Sequence, residues 1–89
     1  MEYSEEYLKK AHKSSFGNKA DVMASEFCGC FYCKETYSAT EVDEWNEENP
    51  PADETAFCPR CGMDSVIGSN SRYPVTEIDF LKAMNKVFF

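Results

Sequence analysis

Two short motifs, Cys30-Phe31-Tyr32-Cys33 and Cys58-Pro59-Arg60-Cys61-Gly62, organise this sequence. Each is a C-x-x-C pair, and 24 residues separate Cys33 from Cys58. A C-x-x-C turn aims two sulfurs at one point, so two such turns form a closed tetrahedral shell of four thiolates, as structural zinc sites do. The separation is slightly longer than the usual spacing of such sites. We predict that one structural Zn²⁺ per chain is held by Cys30, Cys33, Cys58 and Cys61.

A metal is expected for a second reason, which is the size of the chain. The sequence has 89 residues, enough for one domain. A domain of this size buries only roughly 60–65% of the surface that its unfolded chain exposes, whereas zinc binding in small peptides contributes about 10–16 kcal/mol. We therefore expect the metal to decide whether the chain folds. The alternatives for the four thiols are buried cysteines without a metal, a dithiol redox pair and an Fe–S centre.

Four further residues have chemistry that these motifs do not use. Cys28 precedes the first motif, and we expect a small packed side chain there. The alternatives are a ligand that replaces Cys30, a reactive thiol, and a contact to the metal ligands. His12 is the single histidine, and it is a weak candidate for a metal ligand or a catalytic base. Asp64 and Ser65 follow the second motif directly, where they can hydrogen-bond to the cysteine turn.

Patterns around the motifs predict helices at both ends of the chain. Helix 1 is expected after Ser4, with Glu–Lys pairs four residues apart. Asn18 is expected to cap a second helix over residues 19–25. Thr76 is expected to cap the last helix, with Asp79 in its first turn. The buried face of that helix is predicted to comprise Ile78, Leu81, Met84 and Phe88, widened by Phe80 and Val87.

Between the helices we predict strands, turns and one further helix. Residues 27–37 have a strand-like aromatic pattern, and short strands are expected over 55–57 and 65–67, with a turn over 68–71. A capping box over 38–41 predicts a helix that ends at Trp45 or Asn46, followed by a loop over 46–54.

The predicted fold is a small α+β domain with a zinc-ribbon-like core of two cysteine knuckles, short antiparallel strands and flanking helices. It spans 1–89 as a single zinc-stapled domain, with an N-terminal helical arm (1–26), a zinc-binding core (27–68) and a C-terminal helix (75–89). We expect the core to form around Trp45, Phe57, Ile67 and the last helix.

Charge and composition limit the partners. The formal net charge is −7, and four thiolates on one Zn²⁺ add −2, so phosphate backbones should be repelled and nucleic acid is not the expected ligand. No secretory signal, lipidation motif or membrane-length apolar run is present, and we expect a cytoplasmic protein. Half of the carboxylates lie in one segment without Lys or Arg, namely Glu35, Glu41, Asp43, Glu44, Glu47, Glu48, Asp53 and Glu54.

The motifs resemble a family of small bacterial cytoplasmic zinc-ribbon-like proteins of undefined function. The resemblance rests on residues 28–33 (C-G-C-F-Y-C), on residues 55–68 (with C-P-x-C-G-x-D-S-V-I-G) and on the F-L-x-x-M pattern at 80–84. It implies zinc binding but no particular chemistry. Three features depart from the family pattern: Asn18-Lys19 replaces an expected His-Arg pair, the 46–54 loop is longer, and the end is Phe88-Phe89 instead of Trp-Phe.

Four functions compete at this point. The first is a non-catalytic, zinc-stabilised module that binds another protein, with the oligomeric state open. The second is an acidic inhibitor or immunity-type protein that covers a basic surface, including one that binds nucleic acid. The third is a small enzyme that uses His12 with Asp64 or Ser65. The fourth is direct nucleic-acid binding through the N-terminal cations Lys9, Lys10, Lys13 and Lys19.

Overall fold

The computed structural model describes residues 3–46 and 53–89. In this part the chain has an α+β fold with three helices and two small antiparallel sheets. The helices are α1 (Glu5–His12), α2 (Lys19–Met23) and α3 (Ile78–Phe88). The strands are β1 (Phe27–Cys30), β2 (Thr36–Ser38), β3 (Trp45–Asn46), β4 (Thr55–Ala56) and β5 (Val66–Gly68). Short 3₁₀ helices cover Lys13–Ser15, Ala39–Glu41 and Ser69–Ser71. None of the helices in these ranges is both long and apolar enough to cross a membrane.

Strand β1 is the centre of the larger sheet, whose order is β2-β1-β5 with both neighbours antiparallel. Successive side chains of a strand point to opposite faces. Cys28 and Cys30 therefore share one face, and both belong to a buried cluster that we call the cysteine-side core. Its members are Val22, Cys28, Cys30, Tyr37, Ala39, Val42, Ala56, Cys58 and Val66.

The other face of β1 packs against the helices. Gly29 lies there, and a Cβ at this position would be 2.5 Å from the Val75 carbonyl oxygen and 3.1 Å from Leu81 Cδ2. Only glycine lets the backbone come this close. The buried residues on this side form the helix-side core, whose members are Leu8, Ala11, Phe31, Ile67, Val75, Phe80, Leu81 and Met84.

Helix α1 begins as predicted. The Ser4 hydroxyl caps it by accepting a hydrogen bond from the Tyr7 backbone N–H at 3.1 Å. The two predicted ion pairs, Lys9–Glu5 at 3.2 Å and Lys10–Glu6 at 3.8 Å, are present on its exposed face. Leu8 and Ala11 face the helix-side core.

Asn18 stands at the N-cap position of α2, but its side chain does not cap the helix. Its amide donates to the Val66 carbonyl at 2.7 Å and to the Ser14 carbonyl at 2.9 Å, and its oxygen accepts from the Ala56 N–H at 3.1 Å. Asn18 therefore connects β5 of the larger sheet to β4 of the smaller sheet. Helix α2 ends at Met23, two residues before the predicted end.

The predicted helix after residue 38 is wrong. Ser38 does accept a hydrogen bond from the Thr40 N–H, but the turn is 3₁₀ and ends at Glu41. Val42 is extended and buried, and the Glu44 carbonyl accepts from the Phe57 N–H at 3.0 Å. Pairing with the incoming chain at residues 55–57 thus outweighs the local capping signal. Most of the predicted 46–54 loop, with Glu47 and Glu48, lies outside the described residues.

The last helix is in the predicted place with a different start. Its N-cap is Glu77 instead of Thr76, and no side-chain hydrogen bond caps it. Leu81 and Met84 are buried as predicted, as is Phe80. Ile78 is 47% exposed and Val87 is 41% exposed, so both were wrongly assigned to the buried face. Trp45 and Phe57 were expected in the core and are only partly buried, and Trp45 packs against the cysteine-side core.

Candidate metal centre

The first cysteine motif is a tight turn that leaves β1. The Cys30 N–H donates to the Glu35 carbonyl at 3.0 Å, and the Lys34 N–H donates to the Cys30 carbonyl at 2.8 Å. Closing this turn requires a left-handed residue, and Lys34 has φ +62°. A left-handed backbone is unfavourable for a residue with a Cβ, so the turn holds Lys34 in a strained conformation.

The second motif repeats the same turn. The Cys58 N–H donates to the Met63 carbonyl at 2.8 Å, and the Gly62 N–H donates to the Cys58 carbonyl at 2.9 Å. Gly62 occupies the position that Lys34 has in the first turn, with φ +82°. Glycine adopts this conformation without strain, so the second turn avoids the cost that the first turn has at Lys34.

The two turns bring all four predicted sulfurs together. The Sγ atoms of Cys30, Cys33, Cys58 and Cys61 lie within 4.8 Å of one another. Two pairs of sulfurs join the different turns, Cys30–Cys61 at 3.6 Å and Cys33–Cys58 at 3.8 Å. A tetrahedral ion with metal–sulfur bonds of about 2.3 Å has sulfur–sulfur edges of about 3.8 Å. The arrangement therefore fits one tetrahedral metal ion, and all five cysteines are free thiols.

Hydrogen-bond donors surround the buried sulfurs. The Tyr37 hydroxyl donates to Cys58 Sγ at 3.2 Å, and the Arg60 backbone N–H donates to the same sulfur at 3.4 Å. The Ser65 hydroxyl lies 3.0 Å from Cys30 Sγ. Such donors stabilise the negative charge of a thiolate and fix the orientation of a ligand. The predicted contact of Ser65 with the cysteine turn is confirmed.

The thiols oppose one another's ionisation when no cation lies among them. Burial, followed by hydrogen bonding and charge repulsion from neighbouring cysteines, raises the pKa of Cys61 to about 11. Burial is likewise the main cause that raises the pKa of Cys33. Burial also acts on Cys58, but the bonds from Tyr37 and Arg60 outweigh it and lower the pKa of this thiol. A divalent cation at the centre favours the thiolate form of all four.

Cys28 is outside this cluster. It is fully buried in the cysteine-side core, and burial raises its pKa to about 12. An inert, packed thiol results, as the sequence predicted. The alternative in which Cys28 replaces Cys30 as a ligand is wrong, because the four gathered sulfurs include Cys30 and omit Cys28.

Arg60 covers the outside of the site. Its guanidinium bonds to Glu35 at 3.1 Å and to both carboxylate oxygens of Glu41 at 3.2 Å, and it lies 5.4 Å from the centre of the Tyr37 ring. Beside it, an open cleft of about 340 Å³ leads to the second turn. This cleft is lined by Asp43, Glu44, Cys58, Pro59, Arg60, Cys61 and Gly62.

The acidic segment is therefore partly neutralised within the fold. Glu35 and Glu41 pair with Arg60. Glu54 pairs with Lys19 at 3.3 Å, and Asp53 accepts from the Ala20 N–H at 3.0 Å. Asp43 and Glu44 form no ion pair with any residue in the described ranges, and they line the cleft.

The residues proposed for an enzyme are not brought together. The His12 ring stacks on Phe88 at 4.2 Å between centroids and makes no side-chain hydrogen bond with a described residue. The Ser65 hydroxyl is buried against Cys30. Asp64 is exposed, and its side chain bonds to nothing in the described ranges, so its predicted contact with the cysteine turn is absent. Ser65 therefore lacks the adjacent base that a nucleophile needs.

The N-terminal cations do not form a free basic patch. Lys9, Lys10 and Lys19 each pair with a carboxylate. Of the four, only Lys13 has no ion pair with a described residue.

Sequence reasoning missed Tyr37 and Arg60 as parts of the site. Tyr37 is 21 residues from Cys58 in the chain, and its hydroxyl reaches the sulfur only because β2 pairs with β1. The sequence signal for Tyr37 was an aromatic residue on the neighbouring strand, at the position that pairs with Cys28. Arg60 lies inside the motif itself, and its charge beside four thiolates was a signal that could have been used.

Comparison of the chain with protein-family models, curated proteins and solved structures gave no match.

Proposed function

We propose that the four cysteines hold one structural zinc ion, and that the chain is a non-catalytic module that binds another protein. The observation that carries the first part is the closed set of four sulfurs at tetrahedral spacing. A catalytic zinc site keeps one position open for water or substrate, whereas four cysteine ligands leave none. An all-sulfur tetrahedral site is typical of zinc and of iron–sulfur centres, and we propose zinc because the four sulfurs surround a single point, as in structural zinc sites.

The zinc proposal is tested by metal analysis and by chelation. Purified protein should contain about one zinc per chain, and a strong chelator should unfold it, since binding free energy in small zinc domains is folding free energy. Loss of the far-ultraviolet circular dichroism signal on chelation, with recovery on adding zinc, is the expected result. A metal-free preparation that keeps its full structure would refute the proposal.

The interaction role is supported by an aromatic patch at the first turn. The patch consists of His12, Tyr32, Phe88 and Phe89, with the buried ring of Phe31 beneath it. Its rings form a continuous series, with centroid distances of 4.2 Å for His12–Phe88 and 4.8 Å for Tyr32–Phe89. Tyr32 is 45% exposed and Phe89 is 55% exposed. Aromatic residues contribute much of the binding energy in protein–protein interfaces.

The cations around the patch indicate the chemistry of the partner. Lys13 follows His12, Lys34 closes the turn that carries Tyr32, and Lys86 precedes Phe89 by about one helical turn. None of these lysines forms a salt bridge with a residue in the described ranges. We infer that the partner has an apolar pocket with carboxylates at its rim. This differs from the basic partner expected from net charge.

The acidic inhibitor is the second candidate, and Asp43 and Glu44 are the observation in its favour. These two carboxylates lack ion pairs with described residues and lie at the mouth of the cleft. A basic surface would dock there. The internal pairing of Glu35, Glu41 and Glu54 leaves fewer free charges for this function than the sequence suggested.

Affinity capture with matched variants separates the two functions. The double variant Tyr32→Ala/Phe89→Ala should lose a partner that the unaltered chain captures, and Phe16→Ala should keep it, because Phe16 is 62% exposed but outside the patch. If the partner is lost instead with Asp43→Lys/Glu44→Lys and kept with the aromatic variant, the acidic inhibitor is correct.

A further inference from the structure

The four sulfurs of the metal centre differ in their access to solvent. Cys30 and Cys58 are buried, Cys33 is partly buried and Cys61 is exposed at the cleft. The hydroxyl donors Tyr37 and Ser65 bond to the two buried sulfurs. A hydrogen bond withdraws electron density from sulfur, and oxidation of a thiolate follows its exposure. An oxidant that enters the cleft therefore meets Cys61 first.

We propose that the centre is a peroxide-sensitive switch, in which Cys61 is oxidised first and a Cys30–Cys61 disulfide then expels the metal. This inference rests on the proposed zinc but not on the proposed partner. In this proposal Cys30 resolves the oxidised Cys61, because their sulfurs lie 3.6 Å apart and the two residues come from different turns. The second disulfide that the geometry favours is Cys33–Cys58, at 3.8 Å. Both join the two turns to each other.

The reaction balances with hydrogen peroxide as the oxidant. The Cys61 thiolate attacks one peroxide oxygen, the O–O bond breaks, and a sulfenic acid and hydroxide form. The Cys30 thiolate then attacks the Cys61 sulfur, an S–S bond forms, and a second hydroxide leaves. Two thiolates lose two electrons in total, and two protons from solvent convert the hydroxides to water. Only Cys33 and Cys58 then remain as thiolates, too few to hold the ion in its four-sulfur shell.

The switch acts on the fold because Cys30 is the last residue of the central strand β1. A dithiol reductant cleaves the disulfide and allows zinc to bind again. Peroxide therefore converts the zinc-bound fold reversibly into a loosened, metal-free state.

The test adds hydrogen peroxide to the zinc-loaded protein and follows released zinc with a chromophoric indicator. Free thiols are then alkylated and the protein is digested with trypsin. Cleavage after Lys34 and Arg60 places Cys30 in peptide 20–34, Cys58 in 35–60 and Cys61 in 61–72. The expected first product is peptide 20–34 joined to 61–72, with fragment spectra that assign Cys30. Dimedone added with the peroxide should label peptide 61–72.

Two variants complete the design. Cys61→His keeps a zinc ligand but cannot form the disulfide, so its zinc release should be slower by about ten-fold or more. Cys28→Ala is the matched control, and its release should equal that of the unaltered protein, because Cys28 is buried outside the cluster. If Cys61→His does not fold, dimedone labelling of the unaltered chain still shows whether Cys61 is the first cysteine to be oxidised.

The proposal is overturned if the zinc-loaded protein keeps its zinc under peroxide, or if the first disulfide lies within one turn or includes Cys28. A preparation that contains no zinc at the outset would instead refute the proposed zinc site, so the two failures are distinguishable.

Discussion

Removal of the Tyr37 hydroxyl tests whether the groups around the sulfurs contribute to metal binding. In Tyr37→Phe the ring stays, together with its contact to the Arg60 guanidinium at 5.4 Å, and only the donor to Cys58 Sγ at 3.2 Å is lost. A hydrogen bond to a charged group contributes roughly 1.5–3 kcal/mol. This corresponds to about a ten- to hundred-fold loss of metal affinity, the range seen when a group that orients a ligand is removed.

The affinity is measured by competition with a chromophoric chelator at fixed pH. Burial, and next the bond to Cys58, raises the pKa of Tyr37 well above its ordinary value, so its hydroxyl stays protonated as a donor. The Tyr37 hydroxyl is therefore available as a donor to Cys58 at neutral pH. A loss of about 2 kcal/mol should also lower the Tm of the zinc-bound domain by about 8–16 °C.

The matched control is Tyr32→Phe. Tyr32 lies inside the first turn, but its hydroxyl bonds to no residue in the described ranges, and its ring is 45% exposed. Its metal affinity should be unchanged. If Tyr37→Phe binds the metal as tightly as Tyr32→Phe does, the Tyr37 hydroxyl contributes nothing to metal affinity. Its hydrogen bond to Cys58 then does not stabilise the thiolate.

Four further substitutions test the scaffold by thermal or urea unfolding of the zinc-bound protein. Gly29→Ala should destabilise it by about 2–3 kcal/mol, because the new Cβ meets the Val75 carbonyl at 2.5 Å; an unchanged midpoint would contradict the close approach. Gly62→Ala should lower the free energy of unfolding by about 1 kcal/mol because its φ is +82°. Lys34→Gly, at φ +62°, should leave the free energy of unfolding unchanged or raise it. If both substitutions changed stability by the same amount in the same direction, the two turns would not be equivalent. Asn18→Ala should cost about 3 kcal/mol through three lost hydrogen bonds, one of them to Val66; a cost below about 0.5 kcal/mol, typical of a surface position, would contradict its bridging role.

The ligand set could be predicted because its signal is local. Two identical spacings of cysteine leave few ways to gather four sulfurs, and the turn geometry is contained within five residues on each side. The cap at Ser4 has the same character, since its donor is three residues away. Predictions of this kind depend on neighbours in the chain, and the structure brings the four sulfurs together and caps the first helix at Ser4.

The failures have the opposite character. The capping box over 38–41 is a valid local signal. The hydrogen bond between Phe57 and Glu44, however, favours an extended backbone over a helix after residue 41. Asn18 is a residue type typical of helix caps, yet its side-chain amide forms hydrogen bonds with residues 38 and 48 positions away. Long-range partners overrule local preference in these places, and nothing in the residues themselves shows which partner will be near.

The organisation of β1 explains how a metal ion bound by the four cysteines would stabilise both cores of the domain. Cys30 belongs to the cysteine-side core, and the next residue, Phe31, belongs to the helix-side core. Val66 and Ile67 on β5 are divided between the two cores in the same way. A change of register that moved Cys30 from the metal would therefore also move Phe31 from the helices. Fixing the sulfur fixes the strand, and the strand then places both cores, so we expect the helices to lose their packing when the metal is removed.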